Sequence, residues 1–108
     1  MSLPKPYYED TKAGITIYHA DCRDILPLFP DKSIDLVLTD PPYNESYNYR
    51  GSGFKDYRDD YYSWLEQILI HSEVVLADNG SLYCKHSSRQ IDKILPILSK
   101  HFVFRNLI

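Results

Sequence analysis

The sequence has little of several features that would mark particular classes of protein. It has no apolar run approaching the ~20 residues that span a bilayer, and no charged-then-apolar leader opens it. Its two cysteines, Cys22 and Cys84, are too few for a disulfide framework, and we expect reduced thiols. These absences predict a soluble, cytoplasmic protein without a membrane partner.

Basic residues are not in excess either. The 12 Lys and Arg against 15 Asp and Glu give a formal net charge of −3, which argues against a polybasic nucleic-acid binder. An enzyme with a local basic face remains compatible with this charge, because affinity depends on where the cations lie. No metal site is predicted, since no second ligand pair with finger-like spacing accompanies His19 and Cys22, or Cys84 and His86.

What the chain does contain is an alternation of strand-like and helix-like segments. The 108 residues suffice for one ordinary domain, and the order β-α-β-loop-α-β-α-β is typical of a Rossmann-like sheet. The segment 34–39 is nearly continuously apolar, which indicates a parallel strand covered on both faces by helices. Further strands are predicted over 15–18, 81–86 and 101–108, helices after Asp21, over 61–76 and over 88–100, a turn at 78–80, and a long loop over 44–58.

The best strand ends abruptly in Asp40-Pro41-Pro42-Tyr43, within the stretch LVLTDPPYN. Ligands of open α/β sheets bind outside the carboxyl ends of the strands. The Asp40 carboxylate and the Pro41 carbonyl would be two acceptors for the two hydrogens of an –NH₂ group, and Pro42 would stiffen the turn. Tyr43 offers a face for base stacking, worth about 1–3 kcal/mol. The alternative is that these four residues only end a strand.

The segment Thr39-Asp40-Pro41-Pro42-Tyr43 resembles the catalytic motif of the amino-methylating DNA methyltransferases, which transfer a methyl group from S-adenosylmethionine to adenine N6 or cytosine N4. The segments ITIYHADCRDILPLFPDKSIDLVLTDPPYN, YSWL, NGSL and FVFRNLI are similar to that family as well. The resemblance implies a partial Rossmann-like S-adenosylmethionine-dependent methyltransferase fold, α/β, with a mostly parallel sheet and flanking helices.

The resemblance also implies roles for particular residues. Asp40 and the Pro41 carbonyl would hold the amine of a base flipped out of DNA, and Tyr43 would stack on that base. Asp21 would lie near the adenosine of the cofactor, with Cys22 and Asp40 as further cofactor contacts. Asp21 could instead only cap the helix that follows it, because the family usually has Gly-Asp where this chain has Ala-Asp.

The loop after the motif supplies candidate substrate contacts. Asn44 directly follows the motif, and the cations Arg50, Lys55 and Arg58 are candidates for DNA phosphates, although a solvated loop needs charge in any case. Tyrosines that would line the base pocket or pack the loop are Tyr47, Tyr49 and Tyr57. Along the next helix, Tyr61, Trp64 and Ile68 form a stripe that predicts core.

The family's Phe-x-Gly-x-Gly cofactor loop does not occur in the sequence. We therefore expect residues 1–14 to be a polar segment or tag and residues 15–108 to be the N-terminal portion of a catalytic domain, inactive by itself. Aspartate as the first motif residue favours adenine N6, while cytosine N4, RNA or a protein glutamine remain alternatives, as does an inactive interaction module. Expected partners are DNA, a cognate restriction endonuclease and a second copy at an open sheet edge. A bacterial or phage source is expected.

Overall fold

A computed structural model of the protein describes residues 2–46, 51 and 56–108. Within these residues the architecture is mixed α/β, with two separate two-stranded sheets, one of them parallel. The elements are β1 (Tyr8–Asp10), β2 (Ile15–Ile17), α1 (Cys22–Ile25), β3 (Ile34–Thr39), α2 (Tyr61–Val75), β4 (Leu76–Cys84) and α3 (Ile91–His101), with 3-10 helices at Leu26–Leu28 and Ser88–Gln90.

The first sheet is an antiparallel hairpin of β1 and β2, in which Tyr8 pairs with Ile17. The Asp10 carboxylate accepts the backbone N–H groups of Lys12 and Ala13 at 3.0 and 3.1 Å, which closes the turn. Gly14 follows with φ +70°, a conformation that favours glycine. The strand predicted at residue 15 is confirmed, but its partner is β1 in a hairpin and not a strand of the parallel sheet.

The second sheet pairs β3 with β4 in parallel, so both strands end at the same edge, where Thr39 pairs with Cys84. The pairing shifts between Ile34 and Leu36, because β4 contains extra residues there. Gly80 lies in this irregular part, and a Cβ added to it would stand 3.0 Å from the Ala77 carbonyl oxygen. The turn predicted over 78–80 is therefore an irregularity inside β4 and not a break between helix and strand.

Only one face of this sheet is covered within the part of the chain that the structure describes. Strand residues alternate between the faces. Val37 and Leu82 point towards the helices and are half-buried, while Leu38 on the opposite face is 76% exposed. Leu36 and Tyr83 share that face and are also exposed. The expectation of a strand covered on both faces is therefore wrong for β3.

The core lies between α2 and α3. Tyr61, Leu65 and Leu69 follow one another at intervals of four along α2, and each is at most 1% exposed. Ile94 of α3 packs against them, and Leu82 of β4 contacts the same cluster. The predicted helix is thus confirmed with its buried stripe at Tyr61. The other two predicted stripe residues, Trp64 and Ile68, are only half-buried because they flank the contact.

The strand predicted over residues 101–108 is wrong. α3 continues to His101, and residues 103–108 have no regular structure and are exposed. An apolar, β-branched pattern predicts a strand only where a neighbouring strand offers backbone partners, and within the described residues none pairs with this segment. Within the same residues no helix is long and apolar enough to span a membrane. Self-association through a sheet edge stays a prediction.

Replacing Leu69 by alanine tests the core directly. Because Leu69 is fully buried, we expect Leu69→Ala to lower the free energy of unfolding by about 2–5 kcal/mol. The neighbouring Ile70→Ala is the control, since Ile70 is 42% exposed and should lose much less. The measurement is equilibrium denaturation in urea followed by circular dichroism. Equal losses in both variants would contradict the described packing of α2.

Candidate functional site

The turn Asp40–Tyr43 begins where β3 ends, at the edge of the sheet where β4 also ends. The Lys85 backbone N–H donates to the Thr39 carbonyl at 2.9 Å, so the parallel pairing is complete up to the first residue of the turn. The chain leaving β4 therefore runs beside the turn. This brings residues 86–90 next to Asp40–Tyr43 although they are more than forty positions apart in sequence.

Asp40 is exposed, and its Oδ1 accepts a hydrogen bond from the Tyr43 hydroxyl at 2.6 Å. The intervening Pro41 is buried. Tyr43 is half-buried, and its ring lies 5.0 Å from that of His86, tilted by 41°. The acid and the aromatic ring of the motif thus share one site on the surface, and Tyr43 lies against a second ring.

The carbonyl groups of the turn divide into two kinds. The Pro42 carbonyl accepts a hydrogen bond from the Tyr61 hydroxyl, and the Tyr43 carbonyl accepts one from Nε2 of Gln90 at 2.5 Å. Among the described residues, no donor is found on the Pro41 carbonyl. The acceptor that the sequence predicted for an amine is therefore the carbonyl that the turn does not use internally.

Two polar side chains stand behind these donors. His86 Nε2 lies 2.7 Å from the Tyr61 hydroxyl, and the Tyr62 hydroxyl donates to Gln90 Oε1 at 2.7 Å. The Pro42 and Tyr43 carbonyls are thus each held by a donor that has a further hydrogen-bond partner. Such networks restrict side-chain orientation when every member is satisfied.

Burial shifts the pKa values of three groups near the motif. Burial, with the charge of Asp40 adding to it, raises the pKa of Cys84 to about 11. Burial also raises the pKa of Tyr61, and it lowers the pKa of His86 below its ordinary value of 6.5, against the opposing influence of Glu45 and Asp40. Burial thus favours the uncharged forms of Cys84, Tyr61 and His86.

Asp21 lies at the N-terminus of α1, and its carboxylate accepts the backbone N–H of Arg23 at 2.9 Å. The Arg23 guanidinium binds the same carboxylate, with its closest nitrogen at 2.7 Å, and these hydrogen bonds lower the pKa of Asp21 to about 2. The capping interpretation of Asp21 is confirmed, and its role towards a cofactor stays a prediction. Cys22 begins α1 as an exposed free thiol.

Two predicted substrate contacts hold the ends of the long loop together. The Asn44 side-chain oxygen accepts the backbone N–H of Arg58 at 2.7 Å. The Arg58 guanidinium donates to both carboxylate oxygens of Asp60, at 2.7 and 3.2 Å, and lies 5.0 Å from the centre of the Trp64 ring. Arg58 is therefore engaged within the chain, at 39% side-chain exposure.

Of the remaining loop candidates, the structure describes Tyr57. Arg50 and Lys55, with Tyr47 and Tyr49, lie outside the described residues. Tyr57 is 58% exposed, and its hydroxyl donates to Asp59 at 2.8 Å. Among the residues that the structure describes, no group of three or more His, Cys, Asp and Glu could hold a metal ion.

Three residues of the site were not predicted: Tyr61, His86 and Gln90. Tyr61 was assigned to the core because of its periodic position, although a buried phenol also requires a hydrogen-bond partner. His86 was weighed only as a metal ligand or an alternate strand position. The signal that could have identified it is its place just beyond the carboxyl end of the strand that pairs with β3.

Comparison with known proteins fits this site. A family model described as DNA methylase matches residues 34–108, which include the turn, α2 and β4. The chain belongs to the DNA methylase family. Similar relatives carry names of the same kind, and the three described next are similar to most of this DNA methylase chain.

Three of the relatives are bacterial. The type II methyltransferase M.BamHI of Bacillus amyloliquefaciens is 29% identical over 96% of this chain and 24% of its own length. The type II methyltransferase M2.MboI of Moraxella bovis is 27% identical over 96% of this chain and 43% of its own length. The DNA adenine methyltransferase YhdJ of Escherichia coli is 31% identical over 86% of this chain and 32% of its own length. The chain thus spans between 24% and 43% of the length of these three relatives.

The lowered pKa of His86 predicts a pH dependence of stability. Its folded pKa lies below the ordinary value of 6.5, so the neutral residue contributes stability that is complete above pH 6.5 and is lost as the pH falls through the folded pKa. We expect His86→Gln to reduce this loss in urea denaturation between pH 7.5 and 5, whereas His71→Gln should retain it. Identical pH profiles for wild type and His86→Gln would contradict the burial of a neutral His86.

Proposed function

We propose that this chain carries the amine-binding half of an S-adenosylmethionine-dependent DNA methyltransferase site, built on part of a Rossmann-like sheet. The observation that carries the proposal is the exposed Asp40 carboxylate at the carboxyl end of a parallel strand, next to Pro41, whose carbonyl no described residue uses. Family membership supports the same chemistry.

The proposed mechanism depends on two acceptors for one –NH₂ group. The lone pair of a base amine is delocalised into the ring, so the amine is a poor nucleophile until its nitrogen becomes pyramidal. Asp40 and the Pro41 carbonyl would bind both amine hydrogens in that geometry, which stabilises the transition state more than the planar ground state. Tyr43 would hold the flipped base by stacking. After transfer, the extra proton leaves the methylated nitrogen, and Asp40 is the nearest base in the motif.

S-adenosylmethionine would supply the methyl group as an electrophile attached to positively charged sulfur. Asp21, Cys22 and Asp40 are the residues of this chain that we assign to its binding. The donor set fits the cofactor only in part, because the Asp21 carboxylate is already bound by Arg23 and the sequence has no Phe-x-Gly-x-Gly segment. We therefore propose that these 108 residues alone bind the cofactor weakly and are inactive.

We propose adenine N6 as the acceptor. Asp40 as the first motif residue supports adenine by resemblance, and YhdJ, named a DNA adenine methyltransferase, is 31% identical over 86% of the chain. Cytosine N4 is the alternative. DNA would be the partner, with Arg50, Lys55 and Arg58 on the phosphates and Asn44 beside the base. The names of the type II relatives support a cognate restriction endonuclease in the same system.

Replacing Asp40 tests the mechanism. In the complete gene product that contains these residues, Asp40→Ala should lower the rate of methyl transfer to DNA by at least about a hundredfold, because one of the two acceptors is lost. The control is Asp35→Ala, which removes an exposed carboxylate from the same strand. The measurement is incorporation of labelled methyl groups into unmethylated DNA. Wild-type activity in Asp40→Ala would remove Asp40 from the mechanism.

Chromatography of the nucleosides from the same reaction identifies the acceptor. We expect N6-methyl-2′-deoxyadenosine from the DNA and no N4-methyl-2′-deoxycytidine, since Asp40 favours adenine. RNA and a glutamine-containing protein, offered as separate substrates, should remain unlabelled. A labelled cytosine product would replace adenine by the alternative base, and label in protein but not in DNA would exclude DNA as the substrate class.

The cofactor proposal has its own test. In calorimetric titration of the 108-residue chain with S-adenosylmethionine, we expect a dissociation constant weaker than about 100 µM, because the glycine segment that would enclose the cofactor is not in the sequence. Circular dichroism of the same sample controls for folding. A dissociation constant near about 1 µM would show that these residues form a sufficient site.

A further inference from the structure

The direction of every hydrogen bond around Tyr61 can be assigned from its partners. The Ser87 backbone N–H, which can only donate, points to His86 Nδ1 at 2.8 Å, so Nδ1 accepts. A neutral imidazole with an accepting Nδ1 carries its proton on Nε2. The Pro42 carbonyl can only accept, so it takes the single Tyr61 hydroxyl proton. The His86 Nε2–H must then donate to the Tyr61 oxygen, 2.7 Å away.

This order leaves one consistent arrangement. Ser87 N–H donates to His86, His86 donates to Tyr61, and Tyr61 donates to Pro42. A cationic His86 carries a proton on Nδ1, which would then face the Ser87 N–H. The neutral Nδ1–H tautomer would bring the same two donors together. The chain of donors therefore requires a neutral His86 with the Nε2–H tautomer.

A second chain of donors runs in parallel. The Gln90 amide nitrogen donates to the Tyr43 carbonyl at 2.5 Å, which fixes the orientation of the amide, and its oxygen then accepts from the Tyr62 hydroxyl at 2.7 Å. The first chain of donors starts at Ser87, directly before the 3-10 helix that follows β4, and the second starts at Tyr62 in the first turn of α2. Both end on the backbone of the motif.

The location of these two contacts gives them their effect. Proline fixes φ, so within Pro41-Pro42 only the ψ angles remain soft. A hydrogen bond on the Pro42 carbonyl restrains the ψ angle of Pro42. In the same way, the hydrogen bond on the Tyr43 carbonyl restrains the ψ angle of Tyr43. The turn that carries Asp40 is therefore held in place through its backbone carbonyl groups.

We propose that Tyr61 and His86 are positioning residues of the proposed methyl-transfer site: together they hold the Pro42 carbonyl and thereby set the geometry of the Asp40–Tyr43 turn. The inference rests on the proposed function for its catalytic consequence, while the hydrogen-bond arrangement depends on the fold alone. An error of about 1 Å in such a turn can cost a factor of about a hundred in rate.

The first experiment reads the histidine itself in the 108-residue chain. Long-range proton–nitrogen correlation spectra at pH 7 should show His86 as the neutral Nε2–H tautomer. In Tyr61→Phe the backbone amide signals of Tyr43, which follows Pro42, and of Asp40 should shift. The amide signals of the β1–β2 hairpin should not. A His86 that is cationic, or protonated on Nδ1, would overturn the proposal, and so would an unchanged Asp40–Tyr43 turn in Tyr61→Phe.

The second experiment reads catalysis in the complete gene product. Tyr61→Phe should lower kcat about tenfold or more and leave the KM for S-adenosylmethionine within about threefold, since Asp21 and Cys22, two of the three residues assigned to the cofactor, lie outside the displaced turn. Tyr83→Phe is the control, because it removes an exposed phenol on the opposite face of β4. A wild-type kcat in Tyr61→Phe would overturn the positioning role.

Substitutions at His86 separate positioning from simple stability. His86→Gln offers an amide that can donate to Tyr61 and accept from Ser87, so it should retain more of kcat than His86→Leu at equal thermal stability. Equal losses of kcat in His86→Gln and His86→Leu would overturn the proposal. This comparison remains decisive even where Tyr61→Phe fails to fold. If the wild-type protein transfers no methyl group, the proposed function fails, and the spectra of the first experiment still decide the arrangement.

Discussion

The parallel pairing of β3 with β4 is the constraint on which the candidate site depends. Parallel strands end at one edge of a sheet, and the pairing of Thr39 with Cys84 places the two exits side by side. The turn Asp40–Tyr43 leaves one strand, and the segment with His86 and Gln90 leaves the other. Without this pairing, the residues that hold the carbonyl groups of the turn would have no reason to meet it.

Tyr61 connects this edge to the interior of the protein. Its ring belongs to the core between α2 and α3, and only 1% of the residue is exposed. Its hydroxyl donates a hydrogen bond to the Pro42 carbonyl and is also hydrogen-bonded to Nε2 of His86. A buried phenol without a partner would lose free energy through desolvation, so core packing and the geometry of the turn support each other. The position of α2 is consequently transmitted to the Pro42 carbonyl through the Tyr61 side chain.

The part of the fold that local pattern determines could be predicted from the sequence. The periodicity of α2 and the apolar run of β3 are strong signals because they repeat over whole elements. The hairpin partner β1 was not predicted, since Tyr8-Glu9-Asp10 has no strand pattern and is ordered by pairing with β2. The strand expected over 101–108 failed for the reverse reason: its composition is suitable, but within the described residues no strand pairs with it.

The same distinction applies to the site. Asp40, Pro41, Pro42 and Tyr43 are consecutive, so the motif and the chemistry it suggests can be read from the sequence alone. His86 and Gln90 contact the motif only through strand pairing across more than forty residues, so their place beyond the carboxyl end of β4 becomes a usable signal only once that pairing is known. Asp21 was visible in the sequence with two interpretations, and the structure supports the cap because Arg23 occupies its carboxylate.

The hydrogen bond between the Tyr43 hydroxyl and Asp40 gives the turn its resting arrangement. An amine that takes the place of this hydroxyl at Asp40 Oδ1 replaces a donor that lies there at 2.6 Å. Exchanging one donor for another leaves the carboxylate satisfied throughout, so the net cost is small compared with breaking a hydrogen bond outright. The backbone restraint at Pro42 and Tyr43 would hold during such an exchange, because it acts on carbonyl groups and not on the tyrosine ring. Under the proposed function, a rigid backbone and a replaceable side-chain contact would allow the site to be preorganised and still open to a base.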